Sequence, residues 1–162
     1  MLSAVLRSKT AVKVSIEIIN AFVEMRKLIL DHAALFQRLN KVELKIQTLN
    51  QNQCTLCRLR HKELLDAAHI IADSEDSGEP IIQNGLSLCK IHHAAYDMHI
   101  PGITSDYIIK VRSDILNETD GPKLKYGIQS LENNKIFLPA SRKDWPGKDR
   151  LQQCYENFLK AV

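Results

Sequence analysis

Apolar residues recur through the first fifty positions at a helical spacing. Val12, Ile16, Ile19, Val23 and Leu30, with Arg26 in the same row, stand three or four apart, and no Gly or Pro interrupts residues 1–50. The pattern predicts helix. From Leu35 the row becomes Leu35, Leu39, Val42, Ile46 and Leu49, with Lys41, Glu43, Lys45 and Gln47 between. That is a coiled-coil-like seam of about two heptads. Two readings are open: an amphipathic helix packed on its own domain, or a seam between two chains that would make a homodimer through the N-terminal helices.

Beyond the polar junction Gln51-Asn-Gln-Cys54 the pattern changes. Leu64 to Ile71 holds the apolar content of a first strand, Asp73 to Pro80 is an acidic, turn-rich loop, and Asn84-Gly85 marks a turn. A helix is expected from Ile91 or His92, placing His93 and Asp97 four apart on one face. After Pro101-Gly102 the chain reads mostly as β: Tyr107 to Arg112, then Lys135 to Pro139, with Asp120-Gly-Pro122 as a turn. Asp149 to Leu159 closes as an amphipathic helix after an irregular Ser141–Gly147. The expectation is an α+β chain with a helical extension over 1–50 and a domain over 51–162, the latter β-rich in its C-terminal part.

Composition narrows the class. The chain has 162 residues, a net charge of +3 and an ordinary apolar fraction, enough for one domain with an extension. A mildly basic balance suits a nucleic-acid partner without demanding one. No apolar run approaches a membrane span, so no membrane association is expected. Arg7 is not followed by an apolar stretch with a small-residue cleavage site, so no targeting segment is expected. The four cysteines are too few and wrongly spaced for a secreted disulfide scaffold, which favours a metal site in a reducing, cytoplasmic compartment.

The chemistry is concentrated between Cys54 and Asp97. Cys54-Thr-Leu-Cys57 and Cys89-Lys-Ile-His92 are two close pairs, each with a two-residue gap. A tetrahedral structural Zn²⁺ takes four N or S ligands, commonly from two such knuckles. Cys54, Cys57, Cys89 and His92 are therefore the expected zinc set, with His93 able to exchange with His92. The alternative is four residues packed without an ion, since free cysteine packs well in cores. Cys154 lies outside the set and reads as a small core residue.

Between and beyond the knuckles stand His69 in Ala-Ala-His-Ile-Ile, Asn84 in Asn-Gly-Leu and His93 in His-His-Ala-Ala-Tyr-Asp. In that order the stretch resembles the HNH nucleases, the zinc-stapled branch of the ββα-metal (His-Me finger) endonucleases. The likeness is to a restriction-type sub-branch, over residues 54 to about 126 and loosely beyond. The resemblance implies a ββα-metal core and a metal-dependent DNA endonuclease leaving 5′-phosphate and 3′-hydroxyl ends. By resemblance His69 is the general base, Asn84 fixes the hairpin loop, and His93 ligates a catalytic cation such as Mg²⁺. Many such proteins carry Asp or His immediately before the base, where this chain has Ala68. Asp97 is the candidate replacement ligand, and Asp66 the second choice. Two other readings stand beside the enzyme: a zinc-stapled DNA-binding module that cuts nothing, and a helical dimerising or adaptor protein with a decayed nuclease fold.

Residues 1–50 carry a second resemblance. Met1-Leu-Ser-Ala-Val-Leu-Arg-Ser-Lys-Thr-Ala-Val and Ile18-Ile-Asn-Ala-Phe-Val-Glu-Met-Arg26 are similar to the helical tail of phage antirepressor-type (KilA-N-like) proteins. That implies a fusion or a fragment of a phage-related protein, and no DNA-contacting residue is carried over from it.

Overall fold

A computed structural model describes residues 9–72, 75 and 77–161. The chain divides into two compact units between Leu39 and Asn40. One helix, α1, runs from Lys9 to Leu49, as expected for a gap-free helical pattern. In the first unit its large apolar side chains from Val12 to Leu30 are about half exposed or more, from 47% at Val14 to 65% at Phe22.

The helix ends inside the second unit, ahead of the junction at 50/51. Ile46 is buried at 2% exposure, and Gln47 Nε2 donates to the Leu65 carbonyl at 3.2 Å. A Cβ at residue 85 would collide with Ile46 Cδ1, so Gly85 is the residue that lets helix and strand approach this closely. Val42 and Leu49 are half-buried. This end of the apolar row is therefore covered by its own domain, while the Leu35 and Leu39 side chains lie outside the described residues. Gln51 and Asn52 end the helix in the left-handed region, at φ 58° and 50°, and Asn52 N–H returns to the Gln47 carbonyl at 2.8 Å.

The second unit is built on a hairpin. Strand β1 (Leu65–His69) pairs antiparallel with β2 (Gly85–Cys89), in the register Leu65↔Cys89 to His69↔Gly85. Cys89 passes directly into α2 (Lys90–Asp97), which buries His92, Ala95 and Tyr96. This is the ββα unit. Its helix begins at Lys90, slightly earlier than the pattern suggested, because Cys89 already has the extended backbone of an N-cap. A second hairpin, β3 (Pro101–Ile103) with β4 (Ile109–Val111), carries Ile103 and Ile109 into the shared core with Leu86, Leu88, Ala68 and Leu151.

The C-terminal part is less β-rich than the alternation predicts. Short helices α3 (Ser113–Asn117) and α4 (Pro122–Gly127) follow β4. Pro122, read as a turn residue, instead starts α4, where its fixed φ fits the first helical turn. Lys135 to Pro139 forms no strand. Ile136 N–H bonds to Tyr107 and Phe137 N–H to Thr55, so its backbone groups are divided between two elements and leave only an isolated bridge, Ile108↔Lys135. The expected closing helix is α5 (Lys148–Lys160). Its Phe158 ring lies where a Cβ on Gly102 would have to sit. No helix among the described residues is long and apolar enough to cross a membrane.

Candidate metal centre and active-site cleft

The two knuckles converge. One ligand atom each from Cys54, Cys57, Cys89 and His92 lies within 4.8 Å of all the others. The first knuckle is a tight turn in which Arg58 N–H bonds back to Cys54 and Cys54 N–H to Leu59, both at 2.9 Å, with Arg58 at φ 62°. Thr55 N–H to the Ser87 carbonyl, at 2.7 Å, ties this knuckle to β2. The second knuckle is the junction of β2 and α2.

His92 Nδ1 lies 3.4 Å from Cys54 Sγ and 3.2 Å from Cys89 Sγ. These are close to the edge of about 3.6 Å expected for a tetrahedron with Zn–S near 2.3 Å and Zn–N near 2.0 Å. Its Nε2 is 2.7 Å from the Gly127 carbonyl. Donating there fixes the ring in the tautomer whose Nδ1 lone pair faces the sulfurs, the usual support for a ligating histidine.

The four groups perturb one another's protonation. Cys57 is pushed up by hydrogen bonds with the Cys54 and Cys89 sulfurs and by burial. Cys89 is held down by hydrogen bonds from Cys54 and Cys57. For His92, burial opposes the charged form, but hydrogen bonds to Cys54 and Cys89 and to the Gly127 carbonyl outweigh it and push the imidazole up to about 10. Soft thiolates with one imidazole in a tetrahedral cluster fit zinc, and the set is compatible with a structural zinc.

A separate cleft of about 400 Å³ is lined by His69, His93, Asp97, Tyr96 and Glu75 among others. His69 is the last residue of β1, and His93 and Asp97 come from successive turns of α2. His93 Nε2 lies 3.5 Å from Asp97 Oδ2. Its Nδ1 lies 3.5 Å from Asp66 Oδ2, and Asp66 is held in turn by Lys90 Nζ at 3.1 Å. His93 and Asp97 thus bring one imidazole and one carboxylate side by side in the cleft.

Asn84 is wholly buried and does not line this cleft. Its Oδ1 accepts from Ile71 N–H at 3.0 Å, and its Nδ2 donates to the carbonyls of Ile71 at 3.0 Å and Glu79 at 3.1 Å. Its backbone carbonyl accepts from Ile70 N–H at 2.9 Å. One side chain thus clamps both ends of the loop that leaves His69 and returns to Gly85.

Sequence reasoning missed two of these groups. Glu75 belongs to the acidic loop, which reads from sequence as solvated surface, yet it lines the cleft and is held by Gln153 of α5 at 3.3 Å. The Gly127 carbonyl reaches His92 from α4, a contact that no local motif announces. Cys154 is partly buried against the Tyr96 hydroxyl at 3.2 Å and takes no part in the cluster.

The chain thus joins a ββα unit to a Cys3His cluster compatible with a structural zinc. Residues 54–104 match the family model described as HNH endonuclease, and this segment belongs to that family. No curated protein matches the chain. Among solved structures the chain is similar to a modification-dependent TagI restriction endonuclease, at 14% identity and a TM-score of 0.49. The match covers 72% of this chain and 37% of that one.

Proposed function

We propose that the second unit is a metal-dependent DNA endonuclease that hydrolyses phosphodiester bonds in a cytoplasmic, restriction- or phage-related setting. The observation that carries this is the meeting of His69, His93 and Asp97 in one cleft, with Asn84 clamping the loop that follows His69.

His69 acts as general base. An imidazole titrates near neutrality and takes the proton from a water aligned with the scissile phosphorus. His93 and Asp97 hold the catalytic cation, Mg²⁺ or a similar ion, and Asp97 takes the place of the ligand missing at Ala68. When bound, that cation supplies charge neutralisation for the phosphate oxygens. Asn84 keeps His69 at a fixed place in the cleft by locking the backbone of Ile70 and Ile71. The Cys54/Cys57/Cys89/His92 cluster holds zinc and fixes β2 and α2 to the first knuckle. A unit this small needs such a staple to hold catalytic groups in place.

A second proposal concerns the first unit. Its large apolar side chains, from Val12 to Leu30, are about half exposed or more, which favours pairing of the N-terminal helices between two chains.

The test is incubation of purified, zinc-loaded protein with supercoiled plasmid and Mg²⁺, Mn²⁺ or Ni²⁺. Cation-dependent conversion to nicked or linear DNA, with ends that a ligase reseals, supports the reading. DNA binding without any cutting under all three cations would leave the binding-module reading in its place.

A further inference from the structure

His93 is flanked by two carboxylates that do different work. Its Nδ1 faces Asp66 Oδ2 and its Nε2 faces Asp97 Oδ2, each at 3.5 Å. A neutral imidazole donates from one nitrogen and offers a lone pair from the other. Only the lone-pair side can ligate a cation, so only one of the two carboxylates can share an ion with His93.

The surroundings decide which. Asp97 lines the cleft together with His69 and His93, and Asp66 does not. Asp66 is also engaged by the Lys90 ammonium, at 3.1 Å from Oδ1 and 3.4 Å from Oδ2. A lysine so placed occupies the lone pairs a metal would need and repels a second cation. Asp66 sits inside β1, opposite Leu88 of β2, and so is fixed on a paired strand. Lys90 and His93 stand three apart on α2, one turn of a helix face that meets Asp66.

We infer that Asp66 is a positioning residue: it accepts the Nδ1 proton of His93 and thereby presents the Nε2 lone pair to the cation site at Asp97. A contact of 3.5 Å is at the long end for a hydrogen bond, and a small side-chain rotation closes it. It departs from the sequence-based ranking, in which Asp66 is the second-choice cation ligand. It rests on the proposed nuclease site but makes a claim that can be read without any DNA cutting.

The test uses full-length, zinc-loaded protein. Long-range ¹⁵N–¹H NMR of the His93 ring, at about pH 8 where an ordinary imidazole is neutral, reports which nitrogen carries the proton. Mn²⁺ titration reports affinity at the cleft. The wild type is expected to hold the Nδ1–H tautomer. Asp66→Ala is expected to move the ring toward Nε2–H and weaken Mn²⁺ binding about 10–100-fold, the usual cost of losing a ligand's supporting carboxylate. Asp66→Asn keeps an acceptor oxygen and the side-chain volume, so it is expected to restore much of the tautomer preference; if the alanine variant does not fold, the wild-type ring decides alone, and an Nε2–H tautomer there overturns the inference.

In Asp66→Ala, an unchanged tautomer, or a changed tautomer with Mn²⁺ affinity within twofold of wild type, overturns the inference. A wild-type protein that cuts no DNA but shows the locked tautomer and the Mn²⁺ effect defeats the nuclease reading and leaves this one standing.

Discussion

Asn84 grips both backbone polar groups of Ile71: Oδ1 accepts from the Ile71 N–H and Nδ2 donates to the Ile71 carbonyl, each at 3.0 Å. The side chain substitutes for a rung of sheet at the point where the β1–β2 loop departs, so the backbone beyond His69 is fixed although no strand continues there. Asn84→Ala leaves buried backbone groups unsatisfied and is expected to cost about 1–3 kcal/mol of stability. Asn84→Asp removes the donor and turns an acceptor toward the Ile71 and Glu79 carbonyls, so it is expected to be no milder. Thermal melts of zinc-loaded variants check this, and a melting temperature equal to wild type for Asn84→Ala would show that the clamp contributes nothing.

Zinc removal gives the second prediction. Folding and metal binding are coupled in such clusters, so a strong chelator is expected to unfold the 54–97 region, and Cys89→Ser to abolish zinc uptake. Thiol labelling gives an independent reading. In loaded protein only Cys154 lies outside the cluster, and burial pushes its thiol up. A raised pKa leaves little reactive thiolate near pH 8, so labelling is expected to be slow before chelation and fast at the three cluster cysteines afterwards. Rapid labelling of all four in freshly purified, metal-assayed protein would contradict the zinc assignment.

The place where the long helix stops serving one unit and starts serving the other gives the third. Deleting residues 1–39 is expected to leave a folded, zinc-bound second unit, whereas deleting residues 1–50 also removes Ile46 and Gln47, which pack on Gly85 and Leu65. Ile46→Ala alone is expected to destabilise by about 2–5 kcal/mol. If the exposed apolar row of the first unit pairs chains, deleting 1–39 is also expected to turn a dimer into a monomer. Equal stability of the two truncations would contradict the packing, and a full-length chain that is already monomeric would remove the dimer proposal.

What could be read from the sequence follows from how local each feature is. The Cys54/Cys57 and Cys89/His92 pairs are legible because each knuckle sets its own spacing within one turn of backbone. The ββα order is legible for the same reason, since β2 runs straight into α2. The cleft is only partly legible. His69, His93 and Asp97 stand in a recognisable order, but Glu75 reaches the cleft through a loop whose acidic composition looks like solvated surface. The contact of Ile46 with Gly85 was hidden because a row of apolar residues does not say whether its partner is the same chain or another. Lys135 to Pro139 reads as a strand of its own, but its backbone bonds are shared between Tyr107 and Thr55, a division that no local pattern shows.

The division of labour in the cleft gives the fourth prediction. His93→Ala and Asp97→Ala are expected to weaken the catalytic cation, so their nicking rates should recover in part at high Mg²⁺ or Mn²⁺. If Asp97 is only a surface carboxylate, its variant would instead follow the wild-type cation curve.

The central claim is that His69 is the base that activates water, and single-turnover plasmid nicking at saturating Mn²⁺ by wild type and His69→Ala tests it most directly. The account predicts a rate about 10²–10⁴-fold lower for His69→Ala, with zinc content, Mn²⁺ affinity and DNA affinity nearly unchanged. A folded, zinc-loaded His69→Ala protein that nicks at the wild-type rate would contradict it.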